Sequence, residues 1–331
     1  MLVDKRLRKR LIFGLKVLIV FAVAWWLGKE LYKSWDSLHQ IEWKPDYLWL
    51  TLSGILYIVA YVPTCLFWLI SMRSLGQQPG IYETFKAYYI GHLGKYVPGK
   101  AMVVVLRSGL LNHEKTRASI AAAAVFLETL TMMAAGAFLS AVIAIVWFRD
   151  SPHGNQLSLL ALALMLLSGL PIIPPLFRNI ALRLGVGRRD PEIDAKLRGL
   201  TVNTVVIGWL LSMLTWIGLG LCLWASIRGL GIETGPLSEY FPQFVLAAAL
   251  SVVVGFVLMI PGGAGVREFV LANVLVSYFA GLSATAADAA VWAIIVAAVQ
   301  RVVSILAELF VSACLVAGRR RNTKDAGVSA K

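Results

Sequence analysis

The sequence predicts an all-α polytopic membrane protein, and three observations point to that fold class. Hydrophobic residues make up 59% of the 331-residue chain and charged residues only 15%, with a mean hydropathy of +0.75. A soluble domain is typically about half apolar and about a quarter charged. Apolar runs of about 20 residues, enough to cross a bilayer, recur along the chain, and basic residues gather at their ends. We therefore expect about eight transmembrane helices with one or two re-entrant or broken helix pairs.

The net charge of +13 has two explanations. A soluble protein with this charge would suggest a nucleic-acid partner, but here the basic residues lie at the ends of apolar runs, as in cytoplasmic loops. The pattern disfavours nucleic acid and predicts a cell inner membrane protein with both termini cytoplasmic. Its expected parts are a basic flank over residues 1–10, a single integral-membrane domain over 11–318 and a basic tail over 319–331.

The apolar runs are expected to form the spans in chain order. Pro63 can kink the second run, because proline removes a backbone donor inside a helix. Two shorter pieces, 244–260 and 269–281, predict either two tilted spans or a second re-entrant pair. The longer runs cover residues 11–31, 47–72, 118–148, 156–177, 202–227 and 286–316.

Two segments rich in glycine and proline interrupt this pattern, residues 91–100 (the first joint) and residues 259–268 (the second joint). Glycine and proline break helices, and broken backbone at membrane depth is tolerated only inside protein or beside a polar cavity. The apolar pieces around the first joint are too short to span, which favours a re-entrant hairpin or a pair of interfacial helices. Paired interrupted segments point to a transporter binding site. Whether they form an internal repeat stays open.

The first joint contains G-x-x-x-x-G-K-A over residues 94–101. A phosphate-binding P-loop needs Ser or Thr where Ala101 stands, and a preceding strand, so we disfavour a nucleotide site. Glycine-rich backbone beside Lys95 and Lys100 still suits an anion such as a lipid headgroup phosphate. The alternative is that both lysines only extend to anionic headgroups at the interface.

The second joint ends in an arginine and a glutamate. Arg267 would suit a phosphate, and Glu268 an amine or a sugar hydroxyl. The alternative is a salt bridge at the membrane interface. Across both joints, the predicted headgroup- or phosphate-binding residues are Lys95, Tyr96, Gly99, Lys100, Arg107, Gly262, Gly263, Arg267 and Glu268.

Further charges lie inside the apolar runs. A charge at the depth of Glu128 costs about 2.5–3.5 kcal/mol on insertion scales, so it should be paired, neutralised or turned inward. Arg301 and Glu308 lie on one helix face, and we expect a Glu128–Arg301 or Arg301–Glu308 ion network. Such a network is either a polar path through the membrane or a structural ion pair. The predicted path residues are Glu128, Gln300, Arg301 and Glu308.

The sequence leans away from an enzyme. It contains no complete catalytic motif, and Cys65, Cys222 and Cys314 lie in apolar runs without metal-site or disulfide spacing. We therefore predict no catalytic residue, no metal and no cofactor. A membrane-embedded transferase on a lipid carrier would need His92 and Glu268 as an acid–base pair.

Both joints resemble the transmembrane region of lysylphosphatidylglycerol synthases and the wider flippase-like family. The resemblance rests on Gly94-Lys95-Tyr96-Val97-Pro98-Gly99-Lys100 and Pro261-Gly262-Gly263-Ala264-Gly265-Val266-Arg267-Glu268, and the helix with Gln300 and Arg301 is similar as well. It covers residues 10–318 and implies movement of a phospholipid or lipid-linked headgroup between leaflets.

Full synthases add a soluble aminoacyl-transferase domain. The resemblance covers only their membrane region, so it implies lipid handling without aminoacylation. It does not identify the lipid. Related members accompany glycolipid and polyprenyl-linked pathways. The alternative is therefore a membrane subunit or scaffold for a separate glycosyltransferase or synthase.

Overall fold

The computed structural model describes nearly all of the chain beyond residue 43. The described ranges are 44–97, 101–111, 116–147, 154–183, 197, 199–232, 234–258, 260–282 and 286–328. The predicted basic flank and the first predicted span, at 11–31, lie outside them. Every element within these ranges is helical, which confirms the predicted all-α fold.

Short 3-10 turns separate some of the helices, at Leu93–Tyr96, Leu170–Ile172 and Pro261–Gly263. The α-helices are α1 (Tyr47–Ala60), α2 (Val62–Ser74), α3 (Ile81–His92), α4 (Ala101–Leu110), α5 (Ala118–Trp147), α6 (Gly154–Gly169), α7 (Pro174–Arg183), α8 (Val202–Gly229), α9 (Leu237–Val257), α10 (Val266–Ala280) and α11 (Ala286–Val328).

Five stretches among the described residues are long and apolar enough to cross a membrane. They are Tyr47–Ser74, Ala118–Trp147, Val202–Gly229, Leu237–Val257 and Asp288–Ala317. The predicted number of about eight spans is therefore not confirmed. The expected span at 156–177 is not one helix: α6 ends at Gly169, a 3-10 turn follows and α7 begins at Pro174. Pro171 and Pro174 explain the interruption, because neither can donate to the preceding turn.

The first described span is kinked, as the position of Pro63 predicts. Helix α1 ends at Ala60 and α2 begins at Val62, with Tyr61 between them. Pro63 lies in the first turn of α2, where a missing backbone donor costs least. The two halves still form one apolar stretch of spanning length.

Helix α8 contacts α1, α2, α5, α9 and α11. Its buried Trp216 packs onto α5, and a Cβ at Gly136 would lie 2.6 Å from the indole. The Trp216 indole N–H donates to the Met132 carbonyl at 2.9 Å. Small residues allow such close helix packing in a membrane, where apolar burial alone drives little association. The long helices thus form a tight frame around the joints.

The helices on either side of the two joints differ in length. At the first joint, α3 and α4 have 12 and 10 residues and pack against each other. At 1.5 Å per residue neither crosses a hydrocarbon core of about 30 Å, which fits the predicted re-entrant hairpin. At the second joint, α10 is short with 15 residues, but α9 is a full 21-residue helix that continues through Pro242. The prediction of a short piece at 244–260 is therefore wrong.

Candidate functional site

The two joints, far apart in sequence, meet in the folded protein. Gly262 adopts a φ of +58°, and a Cβ there would lie 2.9 Å from Arg301 Nη2 and 3.0 Å from Tyr96 Cδ1. Only glycine takes this conformation readily and leaves room for both neighbours. The Arg301 guanidinium also lies 5.3 Å from the centre of the Tyr96 ring. Tyr96 of the first joint and Gly262 of the second therefore both lie against Arg301 of α11.

The hairpin of the first joint depends on close backbone packing. Gly94 is buried in the 3-10 turn, and a Cβ there would lie 2.7 Å from the backbone nitrogen of Val103 in α4. A side chain at this position would push the two limbs apart. This packing places Lys95 and Arg107, one on each side of the gap at 98–100, near the same group of helices.

Arg107 forms a buried ion pair with Glu128 of α5. The Nη1–Oε2 distance is 2.8 Å, and the two side chains are 3% and 2% exposed. Both carboxylate oxygens have further donors, the Tyr88 hydroxyl at 3.2 Å from Oε1 and the Thr129 hydroxyl at 3.2 Å from Oε2. Arg107 also contacts His92 Nδ1 at 3.2 Å through Nη2 and lies 3.8 Å from the Tyr88 ring centre. The pair is enclosed, and both of its carboxylate oxygens accept hydrogen bonds, while Arg107 Nε is buried without a partner.

Lys95 forms the second pair, with Glu308 of α11. The Lys95 ammonium donates to Glu308 Oε1, and the Tyr57 hydroxyl donates to the same oxygen. His92 Nε2 lies 3.8 Å away, and Glu308 Oε2 is buried without a hydrogen bond. Lys95 is 19% exposed, whereas Glu308 is 3% exposed. This pair connects the first joint to the last described helix.

Arg301 forms the third pair, with Glu268 at the start of α10. The distance from Arg301 Nε to Glu268 Oε1 is 3.4 Å, and the side chains are 17% and 16% exposed. Arg301 Nη1 and Glu268 Oε2 are both buried and have no hydrogen-bond partner. The contact is long and uses one atom of each group, although guanidinium and carboxylate can form two parallel bonds.

Arg267 differs from the other cations of the joints. Its stem lies against two glycines, since a Cβ at Gly255 or Gly263 would come within 3.3 or 3.1 Å of it. Across the described part of the chain its guanidinium makes no ion pair and no hydrogen bond. Among the described residues, the cluster has four cationic side chains and three carboxylates, so one positive charge has no counter-charge. The cations are Lys95, Arg107, Arg267 and Arg301, and the carboxylates are Glu128, Glu268 and Glu308.

A cavity of about 20 Å³ opens beside Arg267, between α9, α10 and α11. Its volume accommodates roughly one water molecule or one oxygen atom of a larger group. Two of its lining residues have a buried polar atom without a hydrogen-bond partner, Nη1 of Arg301 and Oε2 of Glu268. The lining residues are Ser251, Arg267, Glu268, Leu271, Ala297, Gln300 and Arg301.

The expected ion network has different partners from those predicted. Neither a Glu128–Arg301 pair nor an Arg301–Glu308 pair forms among the described residues. Arg301 and Glu308 share a helix face but lie two turns apart. Residues of other elements lie closer to them, Glu268 to Arg301 and Lys95 to Glu308. Glu308 and Arg301 instead pair with joint residues, Lys95 and Glu268, and Glu128 pairs with Arg107 of α4, the helix that follows the first joint. The charged residues of the two predicted sets that the structure describes therefore lie in one cluster.

The remaining predicted residues separate into three cases. Gln300 accepts from the Ser226 hydroxyl at 2.7 Å and donates to Cys222 Sγ at 3.1 Å, and it also lines the cavity. Gly99 and Lys100 lie outside the described residues. The acid–base pair considered for an enzyme does not form, since His92 lies beside Arg107 and Glu268 beside Arg301.

Sequence reasoning missed the tyrosines around the charges. Tyr57 binds Glu308, Tyr88 binds Glu128, and Tyr61 lies edge-on to His92 with 4.7 Å between ring centres. The signal was present, because Tyr57 and Tyr61 are four residues apart, as are Tyr88 and His92, so each pair lies on one helix face. In a chain rich in apolar residues, however, aromatic side chains four residues apart are also expected wherever a helix packs against the core.

Comparison with known proteins identifies the family of the chain. No curated protein gives a significant match to the chain. The family model described as lysylphosphatidylglycerol synthase TM region matches residues 13–307, which include both joints and the Arg107–Glu128 and Arg301–Glu268 pairs. The match also includes Lys95 and ends one residue before its partner Glu308. Since the match covers most of the chain, and its helices are apolar enough to span a membrane, this integral membrane protein belongs to the lysylphosphatidylglycerol synthase TM-region family.

Proposed function

We propose that this protein binds an anionic lipid headgroup where the two joints meet and helps the lipid cross between the leaflets of the cell inner membrane. The observation that carries the proposal is Arg267, a cation with no partner among the described residues, in a cluster whose three carboxylates are already occupied. Arg267 is half-buried, and a charge within a frame of apolar membrane helices is normally paired, because desolvation is costly. A phosphate group would supply the missing counter-charge.

The arrangement of the joints supports movement of a headgroup as well as binding. Broken backbone and charged side chains bring polar surface into the apolar helix frame, where a headgroup needs it. The cations belong to different elements, with Lys95 on the first 3-10 turn, Arg267 on α10 and Arg301 on α11. A phosphate can therefore pass from one cation to the next while its acyl chains remain in lipid.

The packed cluster has to open for such a passage. Two cavities that its described residues line have volumes of about 10 and 20 Å³, each too small for a whole headgroup. The contacts that hold it closed connect separate elements, and the Lys95–Glu308 pair joins the first joint to α11. Separation of the hairpin from α11 is the movement that would open the path.

The test is lipid translocation in liposomes that contain the purified protein. Fluorescent phosphatidylglycerol is placed in both leaflets, and dithionite quenching reports how fast the inner pool reaches the outside. We expect wild-type protein to accelerate this exchange over protein-free liposomes. Arg267→Gln should be at least about tenfold slower, since an ionic hydrogen bond contributes about 1.5–3 kcal/mol.

Arg228→Gln is the matched control, because it also removes one arginine. Arg228 lies 5.4 Å from the Trp49 ring, outside the joint cluster, so exchange should continue at the wild-type rate. Folded wild-type protein that moves neither phosphatidylglycerol nor phosphatidylethanolamine would contradict the proposal. Co-purification of one stoichiometric synthase or glycosyltransferase would then favour a scaffold.

A further inference from the structure

We infer that Arg267 and Arg301 form a subsite for one oxygen of a singly charged phosphodiester, and that Glu268 is an internal competitor which this phosphate displaces. The inference rests on the proposed headgroup site and adds its ligand class and its regulation. It makes an unusual prediction, namely that removing one carboxylate should strengthen binding. Loss of folding or packing cannot imitate that result.

The first part of the inference is the position of the two arginines on one cavity. Both line the space of about 20 Å³ between α9, α10 and α11, which has room for a single oxygen atom. Gly255 and Gly263 hold the Arg267 stem, while Tyr96 and Gly262 hold the Arg301 plane. Both guanidinium groups are thus fixed before a ligand arrives, and preorganisation lowers the cost of binding.

The second part is the state of the polar atoms around this cavity. Arg267 makes no ion pair or hydrogen bond within the described ranges, and Arg301 Nη1 is buried with no acceptor. These are donors without acceptors, and guanidinium donors match phosphate oxygens in geometry and charge. The remaining polar groups, Ser251 and Gln300, add a hydroxyl and an amide to the lining.

The third part is the weakness of the contact that an incoming phosphate must replace. Glu268 holds Arg301 at 3.4 Å through one oxygen, and its other oxygen is buried without a partner. Partly exposed pairs of this kind contribute only about 0.2–1 kcal/mol. A phosphate oxygen that contacts both arginines offers Arg301 a better acceptor than Glu268 does.

The ligand class follows from the charges. Lys95, Arg107, Arg267 and Arg301 meet Glu128, Glu268 and Glu308, which leaves a single positive charge among the described residues of the cluster. A headgroup with one negative charge neutralises it. A zwitterionic headgroup brings no net charge, so the excess remains. We therefore assign the subsite to anionic phosphodiester headgroups over zwitterionic ones.

Affinity measurements on the purified protein in nanodiscs test the assignment. The probes are phosphatidylglycerol, phosphatidylethanolamine and soluble glycerophosphoglycerol, which has the same phosphodiester without acyl chains. We expect phosphatidylglycerol to bind more tightly than phosphatidylethanolamine. Arg267→Gln should weaken the binding of phosphatidylglycerol by at least about tenfold. Glu268→Gln should tighten it by about two- to fivefold, the equivalent of losing a weak, partly exposed pair.

Glu239→Gln is the matched control for charge, because Glu239 is exposed in the first turn of α9 and its removal changes the net charge by the same amount. It should leave affinity unchanged. If glycerophosphoglycerol binds and responds to both variants as the lipid does, the ligand is the phosphodiester itself. If only the lipid responds, the ligand is the membrane-embedded headgroup. Either pattern supports the subsite.

Unchanged or weaker phosphatidylglycerol binding in Glu268→Gln would overturn the inference, as would normal binding in Arg267→Gln. These outcomes are separable from the proposed function. Wild-type protein that transports lipid while Glu268→Gln binds no tighter would refute the competitor but keep the transport. Tighter binding in Glu268→Gln with no transport by the wild type would keep the subsite and refute the transport.

Discussion

The pairs Arg107–Glu128 and Arg301–Glu268 consist of the same chemical groups in two different environments. The first pair is 2.8 Å apart and at most 3% exposed, and both of its carboxylate oxygens accept hydrogen bonds. The second is 3.4 Å apart and at least 16% exposed, and Glu268 Oε2 is buried without a hydrogen bond. Each arginine has one buried nitrogen without a partner, Arg107 Nε and Arg301 Nη1, so the pairs differ at their carboxylates. Sequence position alone does not separate them, since each joins an arginine and a glutamate near a joint.

The difference assigns different roles to the two pairs. A buried pair whose two carboxylate oxygens both accept hydrogen bonds gains little from a new ligand, and breaking it leaves an uncompensated charge. A long, partly exposed pair with free donors can exchange one partner for another at small cost. The Arg107–Glu128 pair therefore fastens the first joint to α5, while the Arg301–Glu268 pair can take part in binding.

Glu128→Gln should give the largest loss of stability. The substitution keeps the shape of the side chain but leaves Arg107 buried without a counter-charge, which costs about 3–5 kcal/mol. The free energy of unfolding, measured by detergent–denaturant titration, reports the loss. The double variant Arg107→Met/Glu128→Leu should recover part of it, because an apolar pair leaves no buried charge.

Equal stability of Glu128→Gln and wild-type protein would contradict the enclosed pair. Glu239→Gln, at an exposed position of α9, is the reference for the loss of one charge and should lie within about 0.5 kcal/mol of wild type.

The sequence predicts the positions of the helices better than it predicts which charged residues pair with each other. Hydropathy locates α5 and α8 to within a few residues, because a membrane requires long apolar helices. Pro63 marks the kink, and the glycines mark the joints. The ion pairs were missed because helical periodicity relates only residues of one helix. Lys95 and Glu308 are 213 positions apart, and their contact follows from the packing of the hairpin against α11.

Lys95→Met should have an intermediate effect. The lysine is 19% exposed, so water reaches part of this pair, but Glu308 is buried and would keep only Tyr57 as a hydrogen-bond donor. We expect a loss of about 1–3 kcal/mol, the cost of an unsatisfied buried acceptor. Adding Glu308→Gln should restore part of it, since the amide carries no charge.

The same titration checks this prediction. A loss in Lys95→Met as large as that in Glu128→Gln would place both pairs in the same class and remove the distinction between them.

The smallest stability effect is expected for Glu268→Gln. Its pair with Arg301 is long and partly exposed, so its loss should change the free energy of unfolding by less than about 1 kcal/mol. The same substitution is the one we expect to tighten phosphodiester binding, which separates stability from affinity at a single residue. A loss of several kcal/mol would show that Glu268 holds α10 and α11 together as Glu128 holds the first joint. Glu268 could then not leave Arg301 when a headgroup arrives, and the contrast between the two pairs would fail.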